Sequence, residues 1–151
     1  MSDSTQETKA HIKLVRARID DIRTKLRQRA IAHDSSKLYE PEKSILDAKA
    51  GALGQLRYGT PEYAAAMAAV DIQPFLEHHY AMNDHHPQHF PNGIADMSYF
   101  SILEMLADWA AAGERTKEGS LAQSLVHNKT RFNISDEQFG FMLRTIEELG
   151  W

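Results

Sequence analysis

Apolar residues recur at intervals of three and four in one segment of this chain after another, the period of an α-helix with one buried face. Ile12, Val15, Ile19, Ile22 and Leu26 mark it first, with Arg16, Arg18, Asp20, Asp21, Arg23 and Lys25 on much of the opposite face. That spacing predicts a helix over 7–29. Met97, Phe100, Ile102, Leu103, Met105, Leu106 and Trp109 predict a more apolar helix over 96–112, ended by Gly113. Phe139, Met142, Leu143, Ile146 and Leu149 predict a last helix. It opens at Ser135-Asp136-Glu137-Gln138, which has the serine-to-glutamine spacing of a capping box. No segment reads as a strand.

The stretches between are punctuated by turn residues. A short helix is expected over 31–37, and another over 42–57, after Pro41 and despite Gly51 and Gly54. Thr60 can cap the next helix, and Pro61 fits its first position. That helix is expected to reach residue 82, with Pro74 breaking or kinking it. Residues 85–93 hold Pro87 and Pro91 and read as a loop, and 121–127 as a short helix. The expectation is one all-α domain over 1–151, a compact bundle of five to seven helices, with 1–8 as a flexible tail. A chain of 151 residues suits a single core.

Composition removes several classes of function. The chain has no cysteine, which excludes disulfides, thiolate zinc sites and cysteine nucleophiles. No apolar run approaches the roughly 18 residues that span a bilayer. The polar N-terminus lacks the apolar stretch of a signal peptide. A soluble, cytoplasmic protein without a membrane partner is therefore expected. The net charge of −4 argues against a general nucleic-acid binder, which carries a basic face. An anionic substrate needs local cations instead. Nothing in the sequence sets an oligomeric state.

Histidine is the unusual residue: five of the eight lie between His78 and His89. Histidines form helices poorly, whereas neutral imidazole is a common metal ligand. His79 and Asn83, four apart, share a helix face. His86 precedes a proline, so its backbone should be extended. The favoured ligands are His79, His85 and His86, then His78, with His89 last. A solvent-exposed histidine-rich loop is the alternative. His33-Asp34 offers a nitrogen and an oxygen ligand from adjacent positions, a pairing that suits iron, manganese, cobalt, nickel or zinc. Asp34 has two carboxylate oxygens and can bridge two ions. On a helix, Lys37 would lie on the same side and meet a phosphate oxygen. The plainer reading is a polar pair at a helix end.

Asp108 sits within an otherwise apolar helix, where a buried carboxylate is expensive unless paired or bound to metal. The alternative places Glu104 and Asp108 together on a wet face. His11 is separated from His33 by about 33 Å if the helix between them is straight. Both reach one ion only if the chain reverses around 27–30. Arg115, Lys117, Lys129 and Arg131 cluster late in the sequence and can position an anion, or else form a solvated surface.

In order, His11, His33-Asp34, the histidine group and Asp108 resemble the HD-domain metal-dependent phosphohydrolase superfamily. His33-Asp34-Ser35-Ser36-Lys37 looks like its His-Asp-x-Gly-Lys segment, with Ser36 in place of glycine. His85-His86-Pro87 is similar to the paired histidines of its two- and three-metal subgroup, and Leu106-Ala107-Asp108 to its late aspartate segment. A group of small phage and bacterial proteins with an HD-x-SK, N-x-HHP, EMLADW pattern is also similar, over about 9–115. Two features depart. The glycine-tyrosine-proline segment of cyclic-dinucleotide phosphodiesterases is replaced by Phe90-Pro91-Asn92-Gly93, and the first interval, from His11 to His33, is short.

The resemblance implies an HD-domain-like bundle that hydrolyses a phosphate ester, most often of a nucleotide. It implies one or two divalent ions (Mn, Fe, Co, Ni or Zn, with Mg also admitted). Their ligands would be drawn from His11, His33, Asp34, His79, His85, His86 and Asp108. Asp34, Lys37 and Asp108 would be catalytic, with Lys37, Arg115, Lys129 and Arg131 on the substrate. Two alternatives stand beside it: a di-iron oxygenase of the same fold, and a metal-binding module without catalysis.

Overall fold

A computed structural model describes residues 4–54, 56, 60–114 and 120–151. Among them are seven α-helices and no strand, as the periodicity requires. They are α1 (Thr5–Ala32), α2 (Glu42–Leu53), α3 (Pro61–Ala69), α4 (Gln73–Met82), α5 (Tyr99–Gly113), α6 (Leu121–Arg131) and α7 (Asp136–Leu149). No helix among the described residues is long and apolar enough to cross a membrane. The contacts fall into two units, 1–33 and 34–151.

The first unit is α1. It begins at Thr5, so residues 5–8 form its first turn rather than a tail. It runs without interruption to Ala32, with no reversal over 27–30. No glycine or proline lies within it to break the ladder of backbone hydrogen bonds. Ion pairs one turn apart decorate it, Arg18 with Asp21 at 3.0 Å and Arg23 with Asp20 at 3.2 Å. None of its residues is buried.

The second unit is built in two parts. In α5, α6 and α7, the spacing of three and four turns Ile102, Met105, Leu106, Leu121, Leu125, Met142 and Ile146 inward. Ile94, Met97 and Ile134 complete this core from the connecting segments. Its helices begin where short hydroxyl side chains meet free backbone N–H groups. Ser98 accepts from the Ser101 N–H at 3.1 Å. Ser135 accepts from the Gln138 N–H at 3.1 Å, while the Gln138 side chain accepts from the Ser135 N–H at 3.1 Å, which completes the expected capping box. Gly150 ends α7 in the left-handed conformation, φ 72°, that glycine adopts without cost.

The other part joins α2 and α4 to a 3-10 turn at Ser35–Leu38, with α3 packed on α2. The short helix expected over 31–37 is therefore divided: α1 takes its start and the 3-10 turn its end. Asp34 lies between them at φ 53°, ψ 14°, in the left-handed region. The helix expected over 61–82 is two helices, because Pro74 sits in the first turn of α4 and cannot continue α3. Thr60 caps α3, accepting from the Tyr63 N–H at 3.2 Å. Residues 87–89 and 93–96 make single 3-10 turns in the connection between α4 and α5.

Candidate metal centre

The second unit brings Asp34, His79, His85 and His86 together, with one ligand atom from each within 4.8 Å of all the others. Three separate pieces of local structure deliver them. Asp34 precedes the 3-10 turn, and its left-handed backbone is a conformation that aspartate tolerates better than most residues. His79 lies in the last turn of α4. His85 and His86 follow that helix, and His86 has the extended backbone, φ −97° and ψ 130°, that the next proline imposes.

The ring nitrogens face one another and the carboxylate. His79 Nε2 is 2.9 Å from His86 Nε2 and 3.4 Å from Asp34 Oδ1. His85 Nε2 is 3.5 Å from the same Oδ1. Ligands about 2.0–2.1 Å from a common ion stand roughly 2.9–3.4 Å apart, depending on the angle between them. These three separations fall close to that range, and the rest lie within 4.8 Å, so the donor types and spacing are compatible with a shared ion.

Burial disfavours the charged form of His86 and His79. It pushes His86 down to about 3, helped by the neighbouring His85 and His79. It also lowers His79, against the opposing hydrogen bond to Glu42. Both shifts favour the neutral ring, the form that ligates metal.

Two carboxylates stand behind the histidines. Glu42, the first residue of α2, has no exposed surface. Its Oε2 is 3.0 Å from His79 Nδ1, and its Oε1 is 2.8 Å from His78 Nδ1. Burial acts to raise Glu42, but hydrogen bonds from His78, Ser36 and His79 outweigh it and leave the carboxyl below its ordinary range. Glu104, on α5, lies 3.2 Å from His85 Nδ1. Asn83 donates to Ser36 Oγ at 2.9 Å and to the His79 carbonyl at 2.8 Å, tying the end of α4 to the 3-10 turn. Asp84 accepts from Ser101 Oγ at 3.1 Å, which fixes the residue before His85 to the start of α5.

The remaining sequence candidates divide. Asp108 brings a carboxylate oxygen within 4.8 Å of Asp34. It is half-buried, and Glu104 turns to His85, so the two do not form a wet face. Lys37 pairs with Asp34 Oδ2, the oxygen on the other side of the carboxylate from the histidines. His33 is the C-cap of α1 and belongs to the first unit. His11 is exposed on α1 and lies about 33 Å along the axis from His33. The unbroken helix rules out the reversal that a shared site needs, which corrects the expectation that these two residues hold the same ion.

His78 meets Glu42 rather than the cluster, and His89 Nδ1 donates to the Tyr80 carbonyl at 2.8 Å. Lys129 pairs with Asp136 at 2.5 Å and lies over the Phe139 ring. Arg131 lies over the Phe132 ring. These contacts belong to the α6–α7 region, not to the cluster. Arg115 and Lys117 fall outside the described residues. Glu42 carries no signal in the sequence, and Glu104 reads there only as part of a wet face with Asp108, because a glutamate in the first turn of a helix, or four residues before an aspartate, is ordinary on a solvated surface.

The fold and the cluster define an all-helical protein with a buried histidine–carboxylate constellation. The chain belongs to a family of unknown function, DUF5662, which it matches over residues 1–148. No curated protein and no solved structure matches it.

Proposed function

We propose that this protein is a metal-dependent hydrolase of phosphate esters, with a nucleotide as the favoured substrate. The observation that carries the reading is the convergence of His79 Nε2 and His85 Nε2 on Asp34 Oδ1, with a His86 ring nitrogen completing a group whose ligand atoms lie within 4.8 Å of one another. A nitrogen-rich donor set favours a transition ion such as manganese, iron, cobalt, nickel or zinc over magnesium, which prefers oxygen and retains its waters. Such an ion supplies a Lewis acid and acidifies a bound water near neutral pH. His79, His85, His86 and Asp34 Oδ1 would hold it. Asp108 stands close enough to Asp34 to orient a water beside the cluster. Lys37, beside Asp34 Oδ2, places a cation where a phosphoryl oxygen would approach and steadies the carboxylate before it arrives. The sequence resemblance supplies the choice of phosphoryl chemistry.

The same donor set suits iron-dependent oxidation, so the deciding experiment varies the metal. Purified protein is analysed for bound elements, then stripped and reloaded separately with manganese, cobalt and iron. Each form is screened against nucleoside mono- and triphosphates. Hydrolysis with manganese or cobalt, lost with bound metal in Asp34→Ala, is the expected result. Wild-type metal content in Asp34→Ala would remove the site. Turnover confined to iron and oxygen, or none with any metal, would replace hydrolysis by the oxygenase or the non-catalytic reading.

A further inference from the structure

We propose that Glu42 is a positioning residue, which locks His79 in the tautomer that leaves Nε2 free to bind a metal. The role rests on the metal-centre reading above. An ionised carboxylate only accepts hydrogen bonds, so the 3.0 Å approach of Glu42 Oε2 places the proton on His79 Nδ1. The lone pair is then on Nε2, the nitrogen 3.4 Å from Asp34 Oδ1 and 2.9 Å from His86 Nε2.

Among the described residues, Asn83 Nδ2 also approaches Nδ1, at 3.1 Å. Its two hydrogens are directed to Ser36 Oγ and the His79 carbonyl, at 2.9 and 2.8 Å. Asn83 therefore leaves Nδ1 to Glu42.

The arrangement is doubled. Glu104 stands 3.2 Å from His85 Nδ1, with His85 Nε2 turned to the same Asp34 oxygen. Two rings, on two segments, each have a carboxylate behind Nδ1 and the cluster before Nε2. A carboxylate with no exposed surface is expensive, and an apolar residue would serve the packing of α2 more cheaply. An outer carboxylate on a ligating histidine fixes ring orientation and raises ligand basicity, and losing it weakens metal binding about 10–100-fold.

The test has two arms. Nitrogen-15 NMR of the histidine rings in the metal-free, unaltered protein reads the tautomers directly, and His79 and His85 are expected as Nδ1–H. Finding His79 as Nε2–H overturns the proposal without any substitution. Cobalt(II) titration then compares the unaltered protein with Glu42→Leu and Glu42→Gln. Glu42→Leu is expected to weaken cobalt binding by about 10–100-fold and to shift His79 toward Nε2–H. Glu42→Gln keeps one acceptor oxygen and should fall between. Equal cobalt affinity in folded Glu42→Leu overturns the role while leaving the metal centre standing. Absence of cobalt binding by the unaltered protein overturns both, so the two failures are told apart.

Discussion

The two parts of the 34–151 unit bury opposite kinds of surface. In α5, α6 and α7, the interior is mainly Ile102, Met105, Leu106, Leu125, Met142 and Ile146, held by contact that is non-directional, with Ser101 and Asn128 the buried polar residues of these helices among those described. Around α2, α4 and the 3-10 turn, the buried residues are Glu42, His79, Asn83 and His85, with Phe75 stacked on His79 at 5.2 Å. There each group is tolerable only because a specific partner faces it. An apolar interior survives many rearrangements of similar volume, whereas a buried polar network allows one arrangement of donors and acceptors. The first part supplies cohesion and the second supplies geometry.

That contrast can be broken in stages. The largest effect is expected from Met105→Ala, since Met105 is 1% exposed at the centre of the apolar part. Removing it should cost about 2–5 kcal/mol in urea unfolding. A loss under about 1 kcal/mol would show that α5 is not the anchor of this core.

The polar part should betray itself through pH. His86 is depressed to about 3 in the folded protein, from an ordinary 6.5. Between those values the unfolded chain binds the extra proton, so stability rises with pH. The contribution is present above about 6.5 and is lost as pH falls toward 3, with a slope of at most about 1.4 kcal/mol per pH unit from this group. Unfolding of metal-free protein across that window should show the slope, and His86→Gln should flatten it. An unchanged slope in the variant would assign the acid sensitivity elsewhere.

The smallest stability effect is expected for Lys37→Ala. Its pair with Asp34 is partly solvated, and such pairs contribute about 0–1 kcal/mol. Metal content should persist while phosphoester turnover falls. Equal turnover in both proteins would confine Lys37 to steadying the carboxylate.

The elements of the apolar part were legible in the sequence because each follows from a local rule. Helical spacing gave α5 and α7, and Ser135 with Gln138 gave the start of α7 within one turn. The polar part was legible only in fragments. The extended backbone of His86 followed from Pro87, and the shared face of His79 and Asn83 from a spacing of four. The break at Pro74, which opens α4, followed from its missing N–H. One boundary was not legible, because turn chemistry competes with helix propensity over a few residues: the left-handed Asp34 separates α1 from the 3-10 turn.

By itself, then, the sequence determined that the chain is helical, where most helices begin, and which residue types are present in numbers large enough to hold an ion. Tertiary structure alone decided which of them meet. Asp34 and His85 lie 51 positions apart in the chain and 3.5 Å apart in space, and Glu42 reaches His79 across 37 positions. No helical period encodes such pairs, because they depend on how α2 and α4 pack. The same limit held for His11. Its residue type fitted a metal site, and only the continuous rise of α1 showed that it lies far along the axis from His33.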